Sequence, residues 1–171
     1  MAVLPIIKIG HPSLRKVAEE VKDFRQDLKL LASDMIETMQ VNSGIGLAGN
    51  QVNVLLRLFV IDCSLIEDHL EPQAYVNPRI ISAEGEDTME EGCLSIPDVT
   101  ADVTRPDVIK VQYQTPEGKE VEEKLSGLHS RVFQHELDHL NGVLFVDRIP
   151  PLERKMLEPQ IKKIMEEYSI A

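Results

Sequence analysis

The sequence has few aromatic residues and few cysteines, and each shortage excludes a class of protein. Tryptophan is absent, and the three aromatic residue types together make up 4% of the 171 residues. A surface that stacks nucleic-acid bases on a series of aromatic rings is therefore not expected. Only two cysteines occur, Cys63 and Cys93, which is too few for a disulfide framework. Free thiols or a metal ligand are a better interpretation than a bridge between them.

Positive charge and long apolar runs are also scarce. Lysine and arginine number 18 against 29 acidic residues, which leaves a formal net charge of −11. Because such a surface repels phosphate, we expect no sequence-specific binding of nucleic acid, although a local basic patch remains open. No run of about 18 apolar residues occurs, so no membrane-spanning helix is predicted. The first ten residues lack the order of a signal peptide, which favours a cytoplasmic location.

The composition is that of a globular domain, with 43% hydrophobic and 27% charged residues. We expect residues 1–171 to form a single domain that buries roughly 70% of its unfolded surface. Helices are predicted at residues 13–20, 23–40, 127–140 and 150–168, and strands at residues 54–61, 74–82, 99–103, 108–113 and 120–125. Asp23 is the predicted N-cap of the second helix, and a turn at residues 115–118 joins the last two strands. Strands and helices do not alternate as in βαβ units, so the predicted class is α+β.

Two histidines lie four residues apart on the helix predicted at residues 127–140. His135 and His139 are one turn apart on the same face, so both imidazoles can reach one metal ion. Glu136 lies between them and is suited to accept a proton from a water molecule that the metal activates. Leu128 and Val132 continue the same face as an apolar stripe, which indicates that the face is buried. Ordinary hydrogen bonds could satisfy both imidazoles instead, but the pattern favours a metal site.

A third metal ligand has to come from elsewhere in the chain. No histidine follows His139, and the glutamates of the last predicted helix are typical of a solvent-exposed face. His11 and His69 lie in polar, loop-like surroundings and are weaker candidates. Cys93 is the stronger one, because Gly92 before it allows the backbone to approach a site closely. One thiolate and two imidazoles bind a divalent metal and leave a fourth position for water.

Three glycines mark residues 44–51, which read GIGLAGNQ. A dinucleotide-binding loop follows a strand and opens a helix, and the predicted order here is the reverse. A mobile turn is one interpretation of the segment. The other is a loop that brings the backbone close to a ligand and directs the Gln51 amide inward, where its N–H can donate to a developing oxyanion.

These segments together resemble the peptide deformylase family. That family carries a GxGLAxxQ-like loop, an EGCLS segment and a QHExDHxxG helix. The chain has GIGLAGNQ at residues 44–51, EGCLS at 91–95 and QHELDHLNG at 134–142, in the same order. Further matches at residues 12–15, 75–78 and 142–145 extend the resemblance over nearly the whole chain. It implies mixed or antiparallel sheets packed around a central metal-binding helix, followed by a C-terminal helix.

The resemblance also implies an activity. A member of this family is a metal-dependent hydrolase that removes the formyl group from the N-terminal formyl-methionine of nascent polypeptides and releases formate. Cys93, His135 and His139 would hold one divalent metal. That metal is usually Fe²⁺ in the family, with Zn²⁺, Ni²⁺ or Co²⁺ as alternatives. Glu136 would act as general base and then as general acid.

Several further roles follow from the same resemblance. Gln51 and the backbone N–H of Leu94 would form the oxyanion hole, and Gly46 would offer backbone hydrogen bonds to the substrate. Glu91 would pair with Arg105 and brace the loop that carries the thiolate. The alternative for Arg105 is that it merely precedes a proline at a turn.

The residues of the substrate pocket can also be predicted, and one residue of the chain departs from the family pattern. Ile45, Leu128 and Val132 are expected to line an apolar pocket for the methionine side chain. Gly49 stands where the family usually has a second alanine. Because glycine adds backbone freedom worth roughly 0.5–1 kcal/mol relative to alanine, we expect a looser loop with Gln51 still in place.

The expected partners are formylated nascent peptides and, through the C-terminal helix, the ribosome. That helix carries four basic residues in an otherwise acidic chain, Arg154, Lys155, Lys162 and Lys163. A solvent-exposed helix face is the alternative. Two rival functions remain, a zinc peptidase acting on unformylated peptides and a non-catalytic module with a structural metal. The missing downstream ligand argues against the first, and a set of only three ligands argues against the second.

Overall fold

The computed structural model describes residues 2–168. This part of the chain contains three α-helices, which are α1 (Gln26–Val41), α2 (Gly127–Leu140) and α3 (Pro151–Glu167). It contains seven strands, which are β1 (Gly46–Ala48), β2 (Leu58–Ile61), β3 (Gln73–Glu84), β4 (Asp87–Cys93), β5 (Ile96–Arg105), β6 (Val108–Gln114) and β7 (Glu120–Leu125). Short 3₁₀ turns lie at Pro12–Arg15, Gly49–Val52, Cys63–Leu65 and Phe145–Asp147.

The strands form two antiparallel sheets. Five of them pair in the order β1-β2-β3-β6-β7, while β4 and β5 form a separate hairpin. Helix α2 packs against the larger sheet, where the Phe133 ring meets Phe59 edge-on with 5.0 Å between centroids. Helix α1 packs in a second apolar cluster with β1, β2 and β3, and α3 packs in a third with β5. The predicted α+β class, with antiparallel sheets around a central helix and a C-terminal helix, is confirmed.

The elements nearest the histidine motif were predicted with the right bounds. Helix α2 begins at Gly127 and ends at Leu140, because Gly142 adopts a left-handed φ of 74° just beyond it. A Cβ on that glycine would lie 2.6 Å from the carbonyl oxygen of Arg15, so a larger residue is excluded there. The hairpin of β6 and β7 is closed by the predicted turn, in which the Gly118 amide donates to the Thr115 carbonyl.

Two local predictions are wrong, and strand β4 was missed. Residues 13–20 form only one 3₁₀ turn, because the next amides donate to distant carbonyls, Ala18 to Leu140 and Glu19 to Leu55. Asp23 does not cap α1, since its carboxylate accepts hydrogen bonds from Arg25, the residue at the N-cap position. Strand β4 was not predicted, because most of its side chains are exposed or half-buried and carry no apolar alternation.

The two cysteines do not form a disulfide. Cys63 is buried in the apolar cluster under α2, and both cysteines are free, so no bridge joins them. Its Sγ lies 3.4 Å from the Tyr75 hydroxyl, as suits a packing residue.

Among residues 2–168, no helix has both the length and the apolar character needed to cross a bilayer.

Candidate metal centre and active site

The structure brings Cys93, His135 and His139 together. One ligand atom from each of these residues lies within 4.8 Å of the other two, and no other such group of three or more occurs among the described residues. Both histidines are buried on α2, one turn apart, as the four-residue spacing predicts. Cys93 ends β4, where the pairing shifts register after Gly92, and its Sγ lies 3.3 Å from His139 Nε2. The centre is thus assembled from one helix and one hairpin.

The residues of this group fit a divalent metal. One thiolate and two imidazoles are a donor set that such ions accept, and three protein ligands leave a position for water or substrate. His135 Nδ1 lies 2.7 Å from Glu91 Oε1, an arrangement that fixes the ring and directs its other nitrogen toward an ion. Glu136 Oε1 is buried and has no hydrogen-bond partner within residues 2–168. An unpaired carboxylate oxygen beside this donor set indicates a site built for a further ligand.

Glu136 is held in a dry environment next to the two imidazoles. Its side chain is 4% exposed, and Oε2 lies 4.0 Å from His135 Nε2. Burial raises the pKa of Glu136 to about 7, an effect that the neighbouring His135 partly opposes. A carboxyl group with a pKa near neutrality can both accept and return a proton. Gly46 makes room for this group, since a Cβ there would lie 2.5 Å from Glu136 Oε2.

The Gln51 side chain points at the same site. Its Oε1 accepts a hydrogen bond from the Ala48 amide at 2.9 Å, which fixes the orientation of the carboxamide. Its Nε2 donates to Ser95 Oγ at 3.1 Å and lies 3.4 Å from Cys93 Sγ. Ser95 was missed from the sequence, although it lies two residues after Cys93 in the EGCLS segment. A rigid N–H donor therefore lies beside the proposed metal ligands.

A cavity of about 350 Å³ opens onto these groups. Its walls include the residues expected to contact the substrate, together with the donors and ligands described above; they are Ile45, Gly46, Gln51, Cys93, Leu94, Leu128, Val132, His135 and Glu136. The expectation that the apolar stripe is buried along its whole length is wrong at Leu128. That side chain lies in the first turn of α2 and is 37% exposed at the cavity rim.

Buried ion pairs that involve Glu91 and Asp138 surround the centre. Arg105 Nε donates to Glu91 Oε2 at 2.6 Å and Arg105 Nη2 to Oε1 at 2.9 Å. Burial raises the pKa of Glu91, but hydrogen bonds from His135 and Arg105 outweigh it and hold that pKa well below its ordinary value. Asp138 accepts from both Arg105 and Arg148 at 2.8 Å. Asp138 was missed, although an acidic residue on a largely buried helix face is itself a signal of a buried partner.

The predicted looseness at Gly49 is wrong. A Cβ at this position would lie 2.6 Å from the carbonyl oxygen of Val54 and 3.0 Å from that of Leu56. The Val54 amide also donates to the Gly49 carbonyl at 2.9 Å. Glycine therefore allows close packing of two backbone segments here, and the loop that carries Gln51 is buried and hydrogen-bonded rather than loose.

The comparison with known proteins agrees with this geometry. The family model for polypeptide deformylase matches residues 3–155. The chain belongs to the peptide deformylase family. A peptide deformylase of Brucella suis biovar 1 is 44% identical over 165 residues, covering 96% of this chain and 94% of that protein.

Solved structures show the same relationship. The crystal structure of a peptide deformylase from Legionella pneumophila has a TM-score of 0.89 at 40% identity, covering 97% of each chain. That of the peptide deformylase from Thermus thermophilus has a TM-score of 0.90 at 39% identity, covering 96% of this chain and 99% of that one. Peptide deformylases are metal-dependent hydrolases that deformylate nascent peptides. The predicted family and enzyme class are confirmed, and the peptidase and structural-metal alternatives are set aside.

Proposed function

We propose that this chain deformylates N-formylmethionyl peptides in the cavity above α2, with Glu136 as the group that moves the proton. The observation that carries the proposal is the Glu136 carboxyl group. It is buried, its Oε1 has no partner within residues 2–168, and it lines the cavity beside Cys93 and His135. A buried carboxyl group with an unpaired oxygen destabilises the fold, so its presence at this position indicates a functional role.

The proton steps follow from this placement. A divalent ion held by Cys93, His135 and His139 would supply Lewis acidity toward water and the formyl carbonyl. Glu136 accepts a proton from the attacking water molecule while the oxygen of that water forms a bond to the formyl carbon. Glu136 then delivers that proton to the peptide nitrogen as the C–N bond breaks, which yields formate and a free amino terminus. Each step uses the same carboxylate oxygens, so the group ends each cycle as it began.

Gln51 and Leu94 are the proposed oxyanion donors. The Ala48 amide and Ser95 orient the Gln51 carboxamide, so the N–H that faces Cys93 Sγ is the one that would donate to the developing negative charge. The backbone N–H of Leu94 follows Cys93 directly, at the tip of the hairpin formed by β4 and β5. Removal of one such donor typically lowers the rate constant by about 10²–10³-fold.

The walls of the cavity supply a basis for selectivity. Ile45, Leu128 and Val132 form an apolar lining suited to a methionine side chain. Gly46, whose backbone would bind the substrate, lies against Glu136 with no room for a Cβ. A formyl carbon carries only hydrogen, so space this narrow would favour formyl over bulkier acyl groups.

The native metal, the location and the domain boundaries belong to the same proposal. Fe²⁺ is the proposed native ion, with Zn²⁺, Ni²⁺ or Co²⁺ accepted by the same thiolate and imidazoles. The proposed location is the cytoplasm of a bacterial-type cell, where formylated nascent peptides are the substrate. Residues 1–171 are proposed to act as one catalytic domain, and the family match over residues 3–155 supports this.

Ribosome binding through α3 is a second proposal. Four basic side chains lie on this helix, and Leu152 and Met156 are 72% and 73% exposed on it. Because Ile161 and Ile164 are buried, truncation at Pro150 would also damage the apolar core. Charge reversal of Lys155, Lys162 and Lys163 to glutamate is a cleaner test. We expect the variant to keep formate release from a short peptide and to lose co-sedimentation with ribosomes; retained co-sedimentation would contradict the proposal.

The direct test of the proton role is Glu136→Gln. Glutamine keeps the shape of the side chain but cannot accept the proton, so the variant should retain metal and lose most formate release. Metal content is measured by mass spectrometry and turnover with formyl-Met-Ala-Ser. Turnover equal to that of the unmodified protein would remove Glu136 from its proposed role.

A further inference from the structure

Arg131 is a buried arginine on α2, one helical turn before His135. It is 5% exposed, and its neighbours Val132 and Phe133 are buried apolar residues. A guanidinium group in such a place is unfavourable unless its charge and its N–H groups are paired. Arg131 must therefore have partners for both its charge and its N–H groups.

Its guanidinium group joins the helix to both strands of the β4–β5 hairpin. Nη1 donates to Glu91 Oε2 and to the Val103 carbonyl, each at 2.7 Å. Nη2 donates to the Asp87 carbonyl, also at 2.7 Å. Asp87 and Glu91 lie on β4, and Val103 lies on β5. One planar group thus fixes two backbone positions and one carboxylate, which the single point charge of a lysine could not reproduce.

The two arginines bound to Glu91 hold it in different ways. Arg105 lies on β5, in the same hairpin as Glu91, so this pair braces the hairpin internally. Arg131 lies on α2, so its pair with Glu91 fixes the hairpin relative to the helix. Glu91 Oε1 in turn contacts His135 Nδ1 at 2.7 Å, which sets the direction of that imidazole.

The position of the hairpin matters because the proposed ligand set is divided between the two elements. Cys93 is the last residue of β4, while His135 and His139 project from α2. We infer that Arg131 is a positioning residue that acts through Glu91 to set the geometry of Cys93 and His135 for the metal. The inference rests on the proposed metal site and assigns no contact between Arg131 and the ion.

The test measures the Co²⁺ affinity of the metal-free protein, with Arg131→Met and Arg131→Lys as variants. Loss of a group that supports a metal ligand typically lowers affinity about 10–100-fold, and we expect that range for Arg131→Met, with a changed visible Co²⁺ spectrum. Arg131→Lys should recover only part of the loss. Circular dichroism of each metal-free variant establishes that it is folded before titration.

Arg57→Met is the matched control. Arg57 donates to two carbonyls, those of Ala18 and Leu140, and to the Asn141 side chain, and none of these partners is Glu91 or a proposed metal ligand. Its replacement should lower resistance to urea without changing the Co²⁺ dissociation constant. Loss of affinity in both variants to the same extent would mean that general destabilisation, rather than positioning, explains the effect.

A double-mutant cycle with Glu91→Gln tests whether Arg131 acts on the metal site through Glu91. If Arg131 acts through Glu91, Arg131→Met should weaken Co²⁺ binding much less in the Glu91→Gln protein than in the unmodified one. Full additivity of the two effects, or unaltered binding by Arg131→Met alone, would overturn the inference while leaving the metal site intact. Failure of the unmodified protein to bind Co²⁺ would instead overturn the metal site itself and the inference with it.

Discussion

Replacement of Gly46 by alanine tests how closely the active site is fitted around Glu136. An ideal Cβ at Gly46 would lie 2.5 Å from Oε2 and 2.9 Å from both Cδ and Cγ of Glu136. Since carbon and oxygen atoms that are not bonded rarely approach closer than about 3.3 Å, the carboxylate would have to move by roughly 0.8 Å. The backbone at Gly46 cannot yield easily, because β1 is buried and paired with β2.

The expected loss of activity follows from that displacement of the Glu136 carboxylate. A misplacement of about 1 Å at a reacting group can lower the rate about 10²-fold, equivalent to roughly 2.7 kcal/mol in the activation barrier. Gly46→Ala should therefore lose about that much kcat for formate release, while its metal content stays unchanged. Overpacking should also lower the free energy of unfolding by about 1–3 kcal/mol, measured by urea denaturation.

Gly92→Ala is the matched control for this experiment. Gly92 lines the same cavity, but a Cβ there would meet Thr100 Cγ2 at 3.4 Å, an ordinary van der Waals distance. Gly92 does not have a positive φ, so the structure does not require glycine there to bring Cys93 to the site, and we expect this variant to keep kcat close to that of the unmodified protein. A Gly46→Ala protein with full metal content and undiminished kcat would refute the argument that Glu136 must occupy the space a Cβ would take.

Three further predictions concern stability and ligand choice. Gly49→Ala should lower the free energy of unfolding by about 1–3 kcal/mol, because its Cβ would clash with backbone carbonyls; a gain in urea resistance would contradict this. Cys93→Ser should weaken Co²⁺ binding and abolish the thiolate absorption of the Co²⁺ protein, whereas Cys63→Ser should leave both unchanged; the reverse result would mean that the wrong cysteine was chosen. Burial raises the pKa of Asp147, but hydrogen bonds from Arg15 and the Leu144 amide outweigh it and lower that pKa. Asp147 therefore stabilises the fold above its unfolded pKa of about 3.9, and the difference in urea midpoint between Asp147→Asn and the unmodified protein should shrink as the pH falls below that value; a constant difference would refute it.

The metal-binding helix was predictable because its signal is local. Two histidines four residues apart, an apolar face and a glycine beyond Leu140 are enough to define α2 and to place both imidazoles on one side. Cys93 followed from the chemistry of a third ligand and from Gly92 beside it. In the structure these residues do lie together.

The contacts around the centre were less predictable because their partners are distant in sequence. Glu91 and Arg131 are 40 residues apart, and Arg105 and Asp138 are 33 apart, so no local pattern joins them. Strand β4 escaped prediction because its sequence, DTMEEGC, is mostly polar and lacks the apolar alternation of a strand. Gly49 suggested a loose loop because its intrinsic freedom is visible in the sequence, whereas the carbonyls that enclose it are contributed by a separate segment.

Formate release from formyl-Met-Ala-Ser by anaerobically purified protein decides whether this chain is a metal-dependent deformylase. We expect turnover that a chelator abolishes and that added Fe²⁺ restores, with one metal ion bound per chain. Metal bound in that ratio without release of formate would show that the proposed function is wrong, as would release of formate that persists after the metal has been removed.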